Sequence, residues 1–510
     1  METFLRKHQD SILGVLSCPD RVIFKGHLKL NYPKAVEKLL ARHGLLLKDF
    51  KAFAVQRSEQ LVAHAKQLAQ RAGRPYEYLR SYKRKESYVK SLLDAHPLTE
   101  GLVCILATLE ASPSFKLKYG EGRPRLDHDK PRCLCLYFYF LDKKLGLIYV
   151  RLQTWLPYTL QVYVNGHAWL ARKMDAHGLK YIAEDNAFLS VEDPKRAQRF
   201  ADQWAKIAWP RQLDGFARRI NPLLATLLVG MGYYWVTDQF EYSTDILFKD
   251  RSLLKRLYLK LLQHATLVFS AEDVLAFLGR KLHGRFLGEV LTDYKKRWPG
   301  ARVKHRMKAN WIKMYDKFGC VLRIETVLND PYEFKVRRTG KRQGQEIMGW
   351  FPLPKSVAYL YRYVEIGQAA NARYLDALAV VDDPAPTQDE RAALARPVRA
   401  ANGKSHRGFN PFSPHDLQLF TVLQRGEFHL MGFRNKDIRQ HLFPTANTPV
   451  ERRRQSARVS RLLQILHAHH LVAKIPRSRR WKVTAHGHKL MATTVLLSQQ
   501  HLSVDERKVA

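Results

Sequence analysis

Tyr315 lies between Lys313 and Lys317, with Arg323 and Glu325 a few residues on. A tyrosine, several cations and an acid gathered on one surface suit the handling of a phosphodiester, because the cations meet the phosphate charge. Whether the chain gathers them depends on the elements that carry them. The stretch "WIKMYDKFGCVLRIETVL" (311–328) has the pattern of two strands joined by a tight turn. Side chains alternate along a strand, and directly opposed residues share a face. A two-residue turn would oppose Tyr315 to Leu322 and mix the faces. A three-residue turn, Phe318-Gly319-Cys320, opposes Lys317 to Val321, Tyr315 to Arg323 and Lys313 to Glu325, with Gly319 as its left-handed residue. The preceding "ARVKHRMKAN" reads as a third strand. A turn at Ala309-Asn310 would set Lys304 beside Tyr315 and Arg306 beside Lys313. One face then carries Tyr315 among Lys304, Arg306, Lys313, Lys317, Arg323 and Glu325. The other is apolar, and His305 on it reads as a core histidine. The charged pairs also fit ordinary cross-strand contacts on a solvated face.

The chain around this hairpin is strongly basic. Its 510 residues carry 86 Lys and Arg against 47 Asp and Glu, a net charge of +39, which makes a polyanion the expected partner. Nucleic acid is the first choice, DNA before RNA, and a membrane surface the weaker one. The opening "METFLRKHQDSILGVL" is not apolar enough for a signal peptide. The longest apolar run, "PLLATLLVGMGYYWV" (222–236), is short for a bilayer span and reads as a buried helix entering a strand. Five cysteines without a CxxC pair argue against a zinc site or a disulfide scaffold and for a reducing bacterial cytoplasm, close to the nucleoid.

Periodicity predicts an α+β fold with antiparallel sheet and packed helices. Residues 1–100 read as helix-rich, 101–380 as the α+β core with the candidate site, 381–412 as a linker and 413–510 as a further domain. Within the core, "FEYSTDILF" reads as a strand that places Glu241, Ser243 and Asp245 on one face. In "NGHAWLARKM", Asn165 is a candidate helix cap. His167 is expected at the surface, or touching phosphate from the helix N-terminus. Asp185 in "EDN" fits a turn or a further carboxylate. "SYKRKESYVK" (81–90) fits a strand-binding surface or a solvated helix.

The last hundred residues have the clearest pattern. "PHDLQLFTVLQRG", "FRNKDIRQHLF" and "RRRQSARVSRLLQILHAHH" fit three helices, the third with Val459, Leu462, Leu463 and Leu466 on its apolar side. "LVAKIPRSRRWKVTAHG" fits two strands around a basic loop. Over 413–495 this resembles the winged helix-turn-helix of MarR-like regulators. Residues 413–492 carry fifteen Lys and Arg against four Asp and Glu. The resemblance implies a third helix in the major groove, with contacts from Arg453, Arg454, Ser456, Arg458 and Arg461, and a wing bearing Arg477, Arg479 and Arg480.

"IKMYDKFGCVLRIE" is similar to a segment of the rolling-circle replication initiators of small plasmids and filamentous phages, and the likeness extends over 238–330. It implies a tyrosine nucleophile on a sheet, here Tyr315, and acidic residues holding a divalent ion. Glu241, Asp245 and Glu325 would bind Mg²⁺ or Mn²⁺. Lys313, Arg323 and Lys304 would lower the phenol pKa and stabilise the transition state. The His-hydrophobe-His motif of the larger superfamily is absent from this block. "NGHAWLA", "EYSTDILF" and the hairpin also resemble a group of bacterial proteins with the same winged tail, a likeness that implies no particular activity. Two functions follow: an enzyme of a mobile or replicating element that nicks and rejoins DNA, or a non-catalytic DNA- or RNA-binding protein, including a winged-helix regulator. Oligomeric state is not legible.

Overall fold

A computed structural model describes the chain except for residues 81–83, 120–123, 281–288, 297–300, 382–387, 401–402, 426–427, 429–431, 477 and 506–510. Eleven strands form one sheet. Along the chain they are β1 (Ile12–His27), β2 (Tyr76–Tyr78), β3 (Gly101–Ala111), β4 (Arg132–Asp142), β5 (Gly146–Gln153), β6 (Leu160–Asn165), β7 (Tyr234–Phe248), β8 (Val290–Lys296), β9 (Ala301–Met307), β10 (Asn310–Lys317) and β11 (Val321–Leu328). Their order is β8-β9-β10-β11-β7-β1-β6-β5-β4-β3-β2. Every neighbouring pair is antiparallel except β2 with β3. The first hundred residues therefore supply a central strand, β1, to the sheet of the α+β core. Among the described residues, no helix is long and apolar enough to cross a membrane.

The β10–β11 register is the expected one: Lys317 opposes Val321, Tyr315 opposes Arg323 and Lys313 opposes Glu325. The turn between them has Phe318 and Gly319 at φ 56° and 74°, and the Gly319 N–H donates to Asp316 Oδ1 at 2.9 Å. The β9–β10 register differs from expectation by two residues. Lys304 opposes Lys313, and Arg302 opposes Tyr315. The cause is Asn310. Its Oδ1 accepts from the N–H groups of Asn329 and Asp330, both at 3.0 Å, which holds it as a strand residue and leaves Lys308-Ala309 as the turn. A two-residue shift preserves the face, so the basic set stays together.

Helices cover both sides. The helices used below are α1 (Lys85–Ala95), α2 (Gly166–Asp175), α3 (Pro194–Ala201), α4 (Arg251–Leu267), α5 (Leu360–Leu378), α6 (Pro414–Leu423), α7 (Asn435–Leu442), α8 (Pro449–Ala468) and α9 (Ala485–Asp505). On the rear face, α4 and α5 bury Ile246, Ile312, Met314 and Ile324 in one apolar cluster. From α5, the Asn371 amide donates to the backbone carbonyls of Tyr242 and Ile324, both at 3.1 Å, which ties β7 to β11 from behind. His305 is wholly buried there, between Thr292 and the Tyr374 hydroxyl, each 2.9 Å away. Burial pushes its pKa down to about 3, as suits a core histidine. On the front face, α3 closes the open edge of β1 beyond the end of β6. Its Gln198 bonds the N–H and C=O of Ser17 at 2.8 and 2.9 Å. The apolar run 222–236 is not a helix: after a short 3₁₀ turn at Pro222–Ala225 the chain enters β7 at Tyr234.

In the C-terminal segment, α6, α7, α8, a hairpin of Val472–Lys474 with Trp481–Val483, and α9 enclose a separate apolar core. Val459, Leu462, Leu463 and Leu466 point into it as the periodicity predicts. The Thr448 hydroxyl caps α8 by accepting from the Glu451 N–H at 3.2 Å, and Pro449 follows at the first helical position. The segment read as a linker contains the helix Gln388–Ala395, and its Leu394 and Phe409 pack into this same core. Residues 382–387 and 401–402 of that linker, 81–83 of "SYKRKESYVK" and Arg477 lie outside the described residues.

Candidate functional site

The front face of β1, β7, β10 and β11 carries the charges. Ser243 opposes Glu325 and Asp245 opposes Arg323 across β7 and β11, so the strand 234–248 joins the 301–328 meander as the alternation implies. Between β1 and β7 the register jumps from Pro19 opposite Tyr242 to Val22 opposite Phe240. Asp20 and Arg21 together face Glu241. This is a β-bulge, which turns an extra side chain towards one face. It aims Asp20 into the cluster.

Two groups of contacts form there. In the first, Arg323 is wholly buried and forked onto Asp245: Nε donates to Oδ1 and Nη2 to Oδ2, each at 2.6 Å. Nη1 reaches Asp20 Oδ2 at 3.2 Å, and Nη2 the Asn186 carbonyl at 2.8 Å. His167 sits over the pair, with Nε2 3.0 Å from Arg323 Nη2 and 3.4 Å from Asp245 Oδ2, and Nδ1 3.3 Å from Asp20 Oδ1. Burial would raise the pKa values of Asp20 and Asp245. The neighbouring His167 and Arg323 groups outweigh it and hold both below the usual carboxylate range.

In the second group, Tyr315 donates its hydroxyl hydrogen to Glu325 Oε2, and the Lys313 ammonium donates to Glu325 Oε1. The same ammonium is 3.9 Å from Glu241 Oε2. One carboxylate oxygen from each of Asp20, Glu241 and Glu325 lies within 4.8 Å of the others. Burial, reinforced by the charge of Glu325, pushes the Glu241 pKa up to about 8. The pair is therefore short of one positive charge, which a proton on Glu241 supplies at neutral pH.

The expected residues thus divide. Glu241 and Glu325 lie together, with Asp20 and not Asp245 as the third carboxylate; both oxygens of Asp245 are held by Arg323, and Asp20 too is engaged, by Arg323, Asn186 and His167. Arg323 has no exposed surface with which to meet a phosphate. The expected lowering of the Tyr315 pKa is reversed: burial and the Glu325 charge hold it well above its ordinary value. Lys317 is turned towards the Asn186 carboxamide oxygen. Lys304 and Arg306 are half-buried, and the Lys304 ammonium lies over the Trp311 ring, 3.9 Å from its centroid. Asp185 is exposed in the turn of the hairpin 181–191, with φ 56°.

Asp20 and Asn186 are the residues that sequence reasoning missed, and His167 takes a place other than the surface or phosphate-contact position expected of it. Asn165 does cap α2, accepting from the Ala168 N–H at 2.9 Å. His167, expected at the surface, is 4% exposed because α2 starts directly on β1. Gly166 makes this approach feasible: a Cβ there would stand 1.9 Å from the Pro19 carbonyl oxygen. The usable signals were Pro19, which favours a bulge inside a strand, and glycine at the helix start.

On the C-terminal segment, Arg453, Arg454, Arg458 and Arg461 lie exposed along α8, and Arg479 is exposed in the hairpin. Ser456 instead accepts from Arg439 at 3.2 Å and so holds α7 against α8. Arg480 donates to the Gly432 carbonyl at 3.2 Å. No family model, curated protein or solved structure matches the chain.

Proposed function

We propose that the protein binds nucleic acid, DNA in the first instance, and cuts and rejoins one strand at the sheet cluster, with Tyr315 as the attacking group. The observation that carries this reading is the hydrogen bond from Tyr315 to Glu325 inside a group of three carboxylates. A phenol that titrates well above neutrality needs a base in contact with it, and Glu325 is that base. The phenolic oxygen attacks phosphorus while its proton passes to Glu325. The bond from phosphorus to the leaving sugar oxygen breaks, that oxygen takes a proton from water, and a phosphotyrosine link remains. Rejoining is the reverse.

The oxygen donors of Asp20, Glu241 and Glu325 suit a hard cation, Mg²⁺ or Mn²⁺. Such an ion would replace the Glu241 proton, compete with the Lys313 ammonium and supply Lewis acidity to the phosphoryl oxygen. In this reading 413–495 is a winged helix-turn-helix, with α8 the groove helix and Arg453, Arg454, Arg458 and Arg461 its contacts. The charge of +39 and the exposed arginines support a role on nucleic acid, in the manner of a protein of a mobile or replicating element.

A second reading is favoured by one observation: Tyr315 is only 7% exposed and Arg323 not at all. The cluster would then be an ionic clamp that holds the sheet, in a protein that binds DNA or RNA without cutting it. Incubation of the full chain with supercoiled plasmid and Mg²⁺ or Mn²⁺ separates the two. Open circles that vanish with EDTA and with Glu325→Gln support cleavage, and intact plasmid under all metals supports the binder.

A further inference from the structure

Beside the ionic cluster lies a cavity of about 540 Å³, within the range of small-ligand sites. Its sheet side is a row of three tyrosines on adjacent strands, Tyr139 opposite Tyr149 and Tyr149 opposite Tyr163. The Tyr149 and Tyr163 rings stack at 5.1 Å and 8°, and Arg21 lies 5.7 Å over Tyr163. The other walls are made by α1, α2 and the hairpin 181–191. From α2 and the hairpin come the small side chains Ala168, Ala171, Ala183 and Ala187, beside His167 and Phe188, and from α1 Val89 and Leu93.

The polar groups show what the cavity suits. The Tyr139 hydroxyl is buried without a hydrogen-bond partner and is closed to a molecule in the cavity, so recognition falls to the other groups of the lining. Arg21 and Lys90 on the lining are outnumbered by Glu86, Asp94 and Asp185, so the cavity does not favour an anion. An aromatic cavity without excess positive charge, rimmed by the side chains of Asn165 and Asn186, suits an uncharged planar ring that carries hydrogen-bonding groups. Its far end is joined to the ionic cluster: Asn165 and Asn186 line the cavity, and both donate to Asp20, at 3.4 and 3.0 Å.

We infer that this cavity receives one unpaired nucleobase of a single-stranded nucleic acid. The inference rests on the proposed nucleic-acid role and deepens it. The protein would act on a single strand or on a base drawn out of a duplex. The base would lie on the tyrosine row, and only phosphates several nucleotides along the strand would reach the basic face at Lys304 and Arg306, five strand spacings or about 24 Å from Tyr163.

The test uses the full chain in EDTA, so that no chemistry intervenes. A single-stranded 12-mer containing 5-iodouracil is titrated against the protein, alongside the corresponding duplex, and then cross-linked by light. Replacing Tyr149 and Tyr163 together by Leu should weaken single-strand binding roughly tenfold, the scale of one lost base–aromatic stack, and leave duplex binding within about twofold. Ala171→Phe, which fills the cavity from α2 and keeps the tyrosines, should produce the same loss. Cross-links should map to the peptide containing Tyr149 or Tyr163. Unchanged single-strand affinity in both variants, equal losses for single strand and duplex, or cross-links confined to 449–482 would overturn the inference. Because binding is read without metal, a failure to cut DNA leaves this result standing. A failure here leaves plasmid cleavage to be judged by itself.

Discussion

Arg323 and Asp245 face each other across β11 and β7, joined by two 2.6 Å hydrogen bonds, with no exposed surface on Arg323 and 1% on Asp245. A forked pair of this kind fixes the spacing of the two strands that also carry Glu325 and Glu241. It acts on the candidate site by positioning its neighbours and makes no contact with a substrate.

Arg323→Leu should therefore destabilise the protein by about 3–5 kcal/mol, because it leaves Asp245 and Asp20 buried with only His167 to offset two charges. Arg323→Leu combined with Asp245→Leu should lose less than Arg323→Leu alone. Urea midpoints of the three proteins check this. A smaller loss in the single variant than in the double would contradict a buried ionic clamp.

Glu241 gives a pH signature. Its pKa in the folded protein, about 8, lies above the ordinary 4.5. The neutral form is the one the fold tolerates, so stability is fully present below about pH 4.5 and falls as pH rises through 8. In EDTA, Glu241→Gln should be nearly neutral at pH 5 and stabilising by on the order of 2–4 kcal/mol at pH 9. Thermal melts across this range test the sign. A Glu241→Gln advantage that shrinks as pH rises would show that the carboxyl is not held neutral.

The basic surfaces should separate by salt dependence. Arg458→Ala with Arg461→Ala should weaken duplex binding and reduce the log–log salt slope by about one per residue, with the fold intact. Lys304→Ala with Arg306→Ala should do the same for single strands. Fluorescence anisotropy in a salt series measures both. Unchanged slopes would remove those residues from the interface.

Local pattern accounts for what the sequence made legible. The register of Tyr315, Lys313, Arg323 and Glu325 follows from strict alternation and one glycine turn, both confined to eighteen residues. The partners were not legible because they arrive from far along the chain. Asp20 is 303 residues from Arg323 and His167 is 156 away. Their positions depend on a bulge in β1 and on α2 starting against that strand. The side-chain period cannot see either, since a bulge breaks the alternation on which the reading rests. For the same reason the basic face looked open. Alternation places Arg323 and Tyr315 on the correct face but does not reveal that α2 and the hairpin 181–191 cover it. The tyrosine row was hidden in "RCLCLYFYFL" and "LGLIYVRLQTWLPYTLQVYVNG", where three separate strands had to be aligned before Tyr139, Tyr149 and Tyr163 became neighbours.

The central claim is that Tyr315 attacks a phosphodiester with Glu325 as its base. The most direct measurement is intact and peptide mass spectrometry of the full chain after incubation with internally labelled supercoiled DNA and Mg²⁺ or Mn²⁺, followed by nuclease digestion. The account predicts a nucleotide adduct on the peptide bearing Tyr315. It should be absent from Tyr315→Phe, which keeps fold and binding because only the hydroxyl is lost, and strongly reduced in Glu325→Gln. Nicking without an adduct, an adduct that survives in Tyr315→Phe, or no reaction of the wild-type chain under either metal would contradict it.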